Sequence, residues 1–156
     1  MNMKKKDYWI RQATIDDLDQ LASLIAELFI IEKDFTADVK KQKAGLSLLL
    51  DNNRALVLVA EKNNKIIGMV TGQLLVTTAE GGISILLEDM VIHEKFRQKG
   101  IGGELLEILI GWGLRKGGTR IQLLVDRNNY PAFSFYHNHG FTRSNMEGLY
   151  KMLIQP

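Results

Sequence analysis

The sequence predicts an α/β domain, and three observations carry that expectation. Apolar runs of strand length recur at residues 55–61, 66–76, 84–92 and 120–126. Other stretches, at 15–28 and 101–112, place their apolar residues at helical spacing instead. Clusters of asparagine and glycine separate the two kinds of segment: Asn63-Asn64, Gly81-Gly82 and Gly117-Gly118.

Residues 8–13 read as a first strand. Thr14 then offers an N-cap, with Asp16 and Asp17 in the first helical turn, where unpaired N–H groups favour negative charge. Ile15, Leu18, Leu21, Ala22, Ile25 and Leu28 give that helix one apolar stripe. Residues 29–35 mix apolar and acidic side chains without a period, so a loop is expected, and loops carry specificity. A second helix is expected over 37–50, ending at Asp51-Asn52-Asn53. The strands 55–61 and 66–76 form a hairpin about Asn63-Asn64-Lys65, and Gly68 and Gly72 mark bends or close approaches in the return strand.

Glu80-Gly81-Gly82 turns the chain into the strand 84–92. From Ile101 the positions Leu105, Ile108, Leu109 and Trp112 keep a helical period until Gly117-Gly118. Gly111 and Gly113 cost that helix about 1 kcal/mol each against alanine. Residues 120–126 read as another buried strand, reached by a right-handed crossover if it is parallel to 84–92. Asn128-Asn129-Tyr130-Pro131 opens a short helix that Gly140 ends, and 141–142 and 149–154 read as closing strands.

Composition bounds the function. The 156 residues suffice for one domain with a full core. A net charge of +2 leaves no electrostatic footprint for nucleic acid, and Lys4-Lys5-Lys6 reads as a solvated terminus. No apolar run is long enough to span a bilayer and no signal region follows the lysines, so a cytoplasmic location is the default. The absence of cysteine excludes disulfides, thiolate zinc sites and a cysteine nucleophile. His137 and His139, two apart on a helix, point in different directions, and no metal site is expected.

The chemistry concentrates at Arg97-Gln98-Lys99-Gly100-Ile101-Gly102-Gly103. A strand ends there and a helix begins, with about half a positive charge and free N–H donors at its first turn. Gly100, Gly102 and Gly103 remove the side chains that would keep a phosphate from those donors, and Arg97 and Lys99 add charge. The segment reads as a seat for a pyrophosphate. It is neither a dinucleotide fingerprint, since Leu105 stands where the third glycine belongs, nor a nucleotide-triphosphate loop, since no Gly-Lys-Ser/Thr follows.

These residues resemble a known family. The segment 97–103 is similar to the acyl-CoA pyrophosphate loop, Arg/Gln-x-x-Gly-x-Gly/Ala, of the GNAT N-acetyltransferase superfamily. Asn129, Ala132, Phe135-Tyr136 and Gly140-Phe141 resemble that superfamily's second cofactor motif, in the expected order. Leu87-Glu88-Asp89 and the opening Ile10-Arg11-Gln12-Ala13-Thr14 are closest to spermidine/spermine-type acetyltransferases. The resemblance implies a GNAT-like mixed, mostly antiparallel sheet of six to seven strands, with a splayed central parallel pair and helices on both faces. It also implies that residues 1–156 are one acyl-CoA N-acetyltransferase domain, and that protomers pair as homodimers.

By the same resemblance, acetyl-CoA is the acyl donor. Backbone groups of Met90, Val91 and Ile92 would pair with its amide-rich arm. Main-chain groups of Gln98, Lys99, Gly100, Ile101, Gly102 and Gly103, with Arg97, would hold the pyrophosphate, and Asn129 would touch the arm. The acceptor is a primary amine, mostly ammonium at neutral pH, which must lose a proton before attack. Glu88 is the candidate general base, Tyr136 the candidate general acid for the leaving thiolate, and the Met90 amide the candidate polariser of the carbonyl. A structural role for Glu88 stands as the alternative, since some relatives place the base two residues earlier, at this chain's Leu86. Asp89 reads as structural, and Glu32 and Asp34 as exposed loop charge. A small-molecule amine such as a polyamine, diamine or amino acid is the favoured acceptor. A protein amine, or a non-catalytic acyl-CoA-binding module, is the alternative.

Overall fold

The computed structural model describes residues 6–154, in two compact units that divide between Leu123 and Leu124. The first unit carries β1 (Trp9–Gln12), α1 (Leu18–Ile31), α2 (Val39–Leu50), β2 (Ala55–Lys62), β3 (Lys65–Thr77), β4 (Gly82–Ile92), α3 (Ile101–Arg115) and β5 (Gly118–Gln122). Its sheet has the order β1-β2-β3-β4-β5, antiparallel up to β4, with β5 parallel to β4. The mixed, mostly antiparallel α/β fold is therefore as expected, with five strands among the described residues in place of six to seven.

Local chemistry explains the early elements. Asn63 and Asn64 sit at φ +49° and +61°, the left-handed pair that a two-residue hairpin turn demands and that asparagine tolerates. Asp17 closes the turn before α1 by accepting the Thr14 backbone N–H at 2.8 Å. The same carboxylate takes two hydrogen bonds from Arg11, at 2.8 and 2.9 Å, while Arg11 Nε donates to Glu61 at 2.6 Å. One guanidinium thus ties β1, the start of α1 and the end of β2 together. Asp17 and Glu61 are both buried, so Arg11 is what makes their charge tolerable, and it holds the Asp17 carboxyl below the usual range.

Arg11→Met should therefore cost about 3 kcal/mol in a urea titration, the low end of what breaking a buried pair costs, because Arg11 keeps part of its surface in water. The pH dependence should also change. In the native protein, the contribution of Asp17 is present above its ordinary pKa and lost as pH falls through the lower folded value. With the cation gone, acidification should relieve the buried Asp17 charge, and the deficit should shrink toward pH 4.

The sheet separates two apolar layers. Leu21, Ile25 and Leu28 of α1 and Leu46 of α2 pack with Val57, Val59, Met69 and Val91. On the other face lies α3, whose Leu105, Leu106 and Leu109 are fully buried. Gly72 allows that approach, since a Cβ there would stand 2.5 Å from Leu109 Cδ1. At the far end of α3 the contact is less yielding: a Cβ on Gly118 would meet the Gly113 carbonyl oxygen at 2.8 Å, and backbone cannot rotate away. Gly118→Ala should lower unfolding free energy by about 1–3 kcal/mol in the same titration.

Several boundaries differ from expectation. Residues 29–31 continue α1, because the buried stripe reaching Leu28 carries the helix another turn before Glu32. Ile15 is exposed, lying in a short 3₁₀ turn ahead of α1, off its apolar stripe. β5 begins at Gly118 and ends at Gln122, and is largely exposed, as an edge strand with β4 as its single partner can be. Of the N-terminal lysines, Lys4 and Lys5 lie outside the described residues, and Lys6 pairs with Glu104.

The second unit holds α4 (Tyr130–Asn138). Asn129 caps it by accepting the Ala132 N–H at 3.2 Å, Pro131 fits its first turn, and Gly140 at φ +85° ends it. The expected strands at 141–142 and 149–154 are not formed: no neighbouring strand completes a ladder there among the described residues, and Leu149 and Leu153 stay more than nine-tenths exposed. No helix among the described residues is long and apolar enough to cross a membrane.

Candidate active site

The β4–β5 ladder runs from Ile83–Gly118 to Leu86–Gln122 and stops. β4 continues through residues 87–92 alongside β3 alone. Alternate N–H and C=O groups of this stretch, which holds Met90, Val91 and Ile92, therefore face an edge that no strand of this unit covers. The parallel pair is present and ends where the sequence expectation places an amide-rich arm.

Just past that end, β4 bulges. Leu87 pairs with Gly72 and Met90 with Val70, so Thr71 alone opposes both Glu88 and Asp89. Glu88 is exposed. Asp89 instead turns to the fully buried Thr71, whose hydroxyl donates to Asp89 Oδ2 at 2.8 Å and accepts the Asp89 backbone N–H at 3.0 Å. Burial pushes the Asp89 carboxyl up to about 6; the Thr71 hydrogen bond opposes that shift and the Glu88 charge adds to it. The sequence reading missed this pair, because a threonine on one strand and an aspartate on the next carry no spacing signal.

Beyond β4 the chain makes the expected turn. Gln98 adopts φ +59° and Gly100 φ +83°, and a Cβ at Gly100 would meet open space. Asp38 caps α2 and Asn129 caps α4 through their side chains, but no side chain caps α3, whose cap residue is Gly100. The N–H groups of Ile101, Gly102 and Gly103 are thus left to an external acceptor. Their donor chemistry fits a diphosphate.

The cations around the turn are held rather than loose. Arg97 Nε donates to the Ile92 carbonyl at 2.8 Å, so part of its fork secures the loop. Lys99 Nζ donates to the Lys95 carbonyl at 3.1 Å and lies 5.1 Å from the Phe96 ring centre. Lys62, brought in by the β2–β3 hairpin, lies 5.7 Å from the same ring. Lys62 and Phe96 are additions that sequence distance concealed. Glu104, an unwelcome anion in the first turn of α3, is engaged by Lys6 and by Tyr8, whose hydroxyl donates to it at 2.7 Å. That burial and bond push the Tyr8 phenol up to about 12.

In the second unit Asn129 Oδ1 is committed to the α4 cap, leaving its amide N–H₂ for a polar contact. Tyr136 is half-buried, its ring 5.1 Å from that of Phe135 and 5.3 Å from that of Phe141. His139 Nδ1 shares a hydrogen bond with the Phe135 carbonyl at 2.8 Å, and no three potential metal-ligating side chains gather among the described residues.

The acetyltransferase (GNAT) family matches residues 18–141, which include the bulge, the uncapped helix and α4. The chain belongs to that family. It is 30% identical over 137 residues to the uncharacterized N-acetyltransferase YhfO of Bacillus subtilis, covering 85% of this chain and 88% of that one. An uncharacterized N-acetyltransferase of Archaeoglobus fulgidus is 29% identical over 147 residues, covering 89% and 96%. Among solved structures, aminoglycoside N-acetyltransferase AAC(6')-Iy in complex with CoA shares the fold at a TM-score of 0.82 and 17% identity, covering 99% of this chain and 100% of that one. As a GNAT protein the chain is an acyl-CoA-dependent N-acetyltransferase.

Proposed function

We propose that this GNAT protein transfers the acetyl group of acetyl-CoA to a primary amine of a small molecule by direct attack, as one catalytic domain spanning residues 1–156. The observation that carries the reading is the uncapped, glycine-fronted α3 directly beyond a stretch of β4 that pairs with β3 alone. In this reading Gln98, Lys99, Gly100, Ile101, Gly102 and Gly103 bind the diphosphate through main-chain N–H groups, and Arg97 and Lys99 supply charge. Met90, Val91 and Ile92 accept the arm as an added strand, the Met90 N–H polarises the thioester carbonyl, and Asn129 adds a polar contact. A β4 carboxylate takes the amine's proton, Glu88 being the sequence candidate, and Tyr136 protonates the leaving thiolate.

A small amine remains the favoured acceptor; the structural neighbours include aminoglycoside acetyltransferases, one of them solved with sisomicin, and also a ribosomal-protein-alanine N-acetyltransferase, so a protein amine stays the alternative. Polyamines, diamines and amino acids belong to the same class of acceptor. The test is calorimetry with acetyl-CoA followed by CoA release over a panel of these amines. Saturable binding with turnover on at least one amine is expected. Binding without turnover on any would identify an acyl-CoA-binding module, and no binding at millimolar cofactor would sink the reading entirely.

A further inference from the structure

We infer that Tyr8, with Lys6 beside it, is a positioning residue for the acyl-CoA: it holds the Glu104 carboxylate away from the first N–H groups of α3 and so keeps the diphosphate seat open. The inference rests on the reading of that helix start as the diphosphate seat and deepens it.

Glu104 is the one acidic residue in the first turn of α3. Its backbone N–H donates to the Gly100 carbonyl at 3.1 Å, so the donors left over are those of Ile101, Gly102 and Gly103, just before it. Side chains on a helix lean toward its N-terminus. The glutamate of a capping box takes a backbone N–H three residues back by that lean. Three residues back from Glu104 stands Ile101, and the two glycines between them carry no side chain to obstruct the approach. Left to itself, Glu104 is a built-in competitor for the diphosphate, since the helix dipole draws an anion to the same donors. Asp38 does at α2 what Glu104 is kept from doing at α3: its side chain accepts the backbone N–H groups of Lys40 and Lys41.

The structure turns Glu104 elsewhere. Oε1 is engaged by Lys6, and Oε2 accepts the Tyr8 hydroxyl at 2.7 Å. Both partners belong to the lead-in to β1, more than ninety residues away in the chain. Asp7, between them, pairs with Lys62 and lies within the field of Lys99, so residues 6–8 are anchored both on α3 and on cations of the turn.

The two holds differ in kind. Lys6 keeps 62% of its side chain in water, and ion pairs that exposed contribute little alone. Tyr8 is the directional part: its ring is half-buried and fixed, and its hydroxyl donates without adding charge. Burial and the bond to Glu104 push that phenol up to about 12, so it remains a donor throughout the pH range of an assay. The Lys6 and Tyr8 hydrogen bonds in turn hold the Glu104 carboxyl below its ordinary range, so protonation does not remove the competitor at neutral pH.

The experiment is calorimetry with acetyl-CoA on wild type, Tyr8→Phe, Lys6→Met and their double variant, each repeated in a Glu104→Ala background. A melting temperature is taken for every protein. Phenylalanine keeps the Tyr8 ring and Lys6 is exposed, so the variants should fold. A side-chain cap shifts an equilibrium by about five- to tenfold, and releasing Glu104 should raise the Kd of the double variant by about that factor, with Tyr8→Phe giving the larger share. Glu104→Ala alone should bind at least as tightly as wild type. In that background Tyr8→Phe and Lys6→Met should each change affinity by less than about twofold. On an amine that turns over, Tyr8→Phe should raise KM for acetyl-CoA and leave kcat unchanged. Losses of equal size with and without Glu104 would mean that Lys6 or Tyr8 acts on the cofactor directly. A lowered melting temperature with wild-type affinity would mean that the contact serves packing alone. Either result overturns the inference and leaves the diphosphate seat in place. A wild type that does not bind acetyl-CoA at millimolar concentration overturns the seat as well.

Discussion

Gly102→Asp is expected to weaken acetyl-CoA binding by a factor of about 100 or more while leaving the fold as stable as before. Gly102 is the second residue of α3, in a turn with no side-chain cap. A carboxylate there is favourable for the isolated helix, by roughly 0.3–1 kcal/mol, because it answers the free N–H groups and the dipole. It also replaces a glycine, which a helix tolerates poorly. For a diphosphate the same change is ruinous. The new side chain competes for the donors and sets a like charge beside two others. At about 5 Å and an effective dielectric constant of about 20, each such pair costs about 3 kcal/mol. Calorimetry and thermal melting on one sample separate the effects. If affinity is unchanged in a folded variant, the α3 N-terminus is not the diphosphate seat; parallel losses of affinity and melting temperature would mean damage to α3 instead.

Much of this was legible in the order of residues. Hairpin and helix starts depend on contacts within four residues, so Asn63-Asn64, Thr14 with Asp17, and Asn129 with Pro131 declared themselves. The glycine-fronted helix was visible for the same reason. Two kinds of feature were not. Strand pairing joins residues with no sequence relation, so the bulge that turns Asp89 onto Thr71, and the hairpin that brings Lys62 to Phe96, appear only in the sheet. An apolar run also does not by itself make a strand: residues 149–154 are apolar apart from Lys151, but without a neighbour to complete a ladder they form no strand and their apolar side chains stay exposed.

Tyr136→Phe should lower turnover by ~10²–10⁴ without changing acetyl-CoA affinity. The ring packs between Phe135 and Phe141, and phenylalanine keeps those edge contacts, so only the hydroxyl is removed. The role assigned to that hydroxyl is to give a proton to the departing thiolate. A thiol of pKa about 8.5 leaves as an unstable anion below that pH, so a proton donor matters most there. The size of the defect should therefore depend on pH. At pH 7 the variant should be at its worst; above roughly pH 9 the thiolate persists unaided, so the two rates should converge. A defect constant from pH 7 to pH 9.5, or one expressed as a raised KM for acetyl-CoA with kcat preserved, would assign Tyr136 to packing and binding and leave protonation of the thiolate to water.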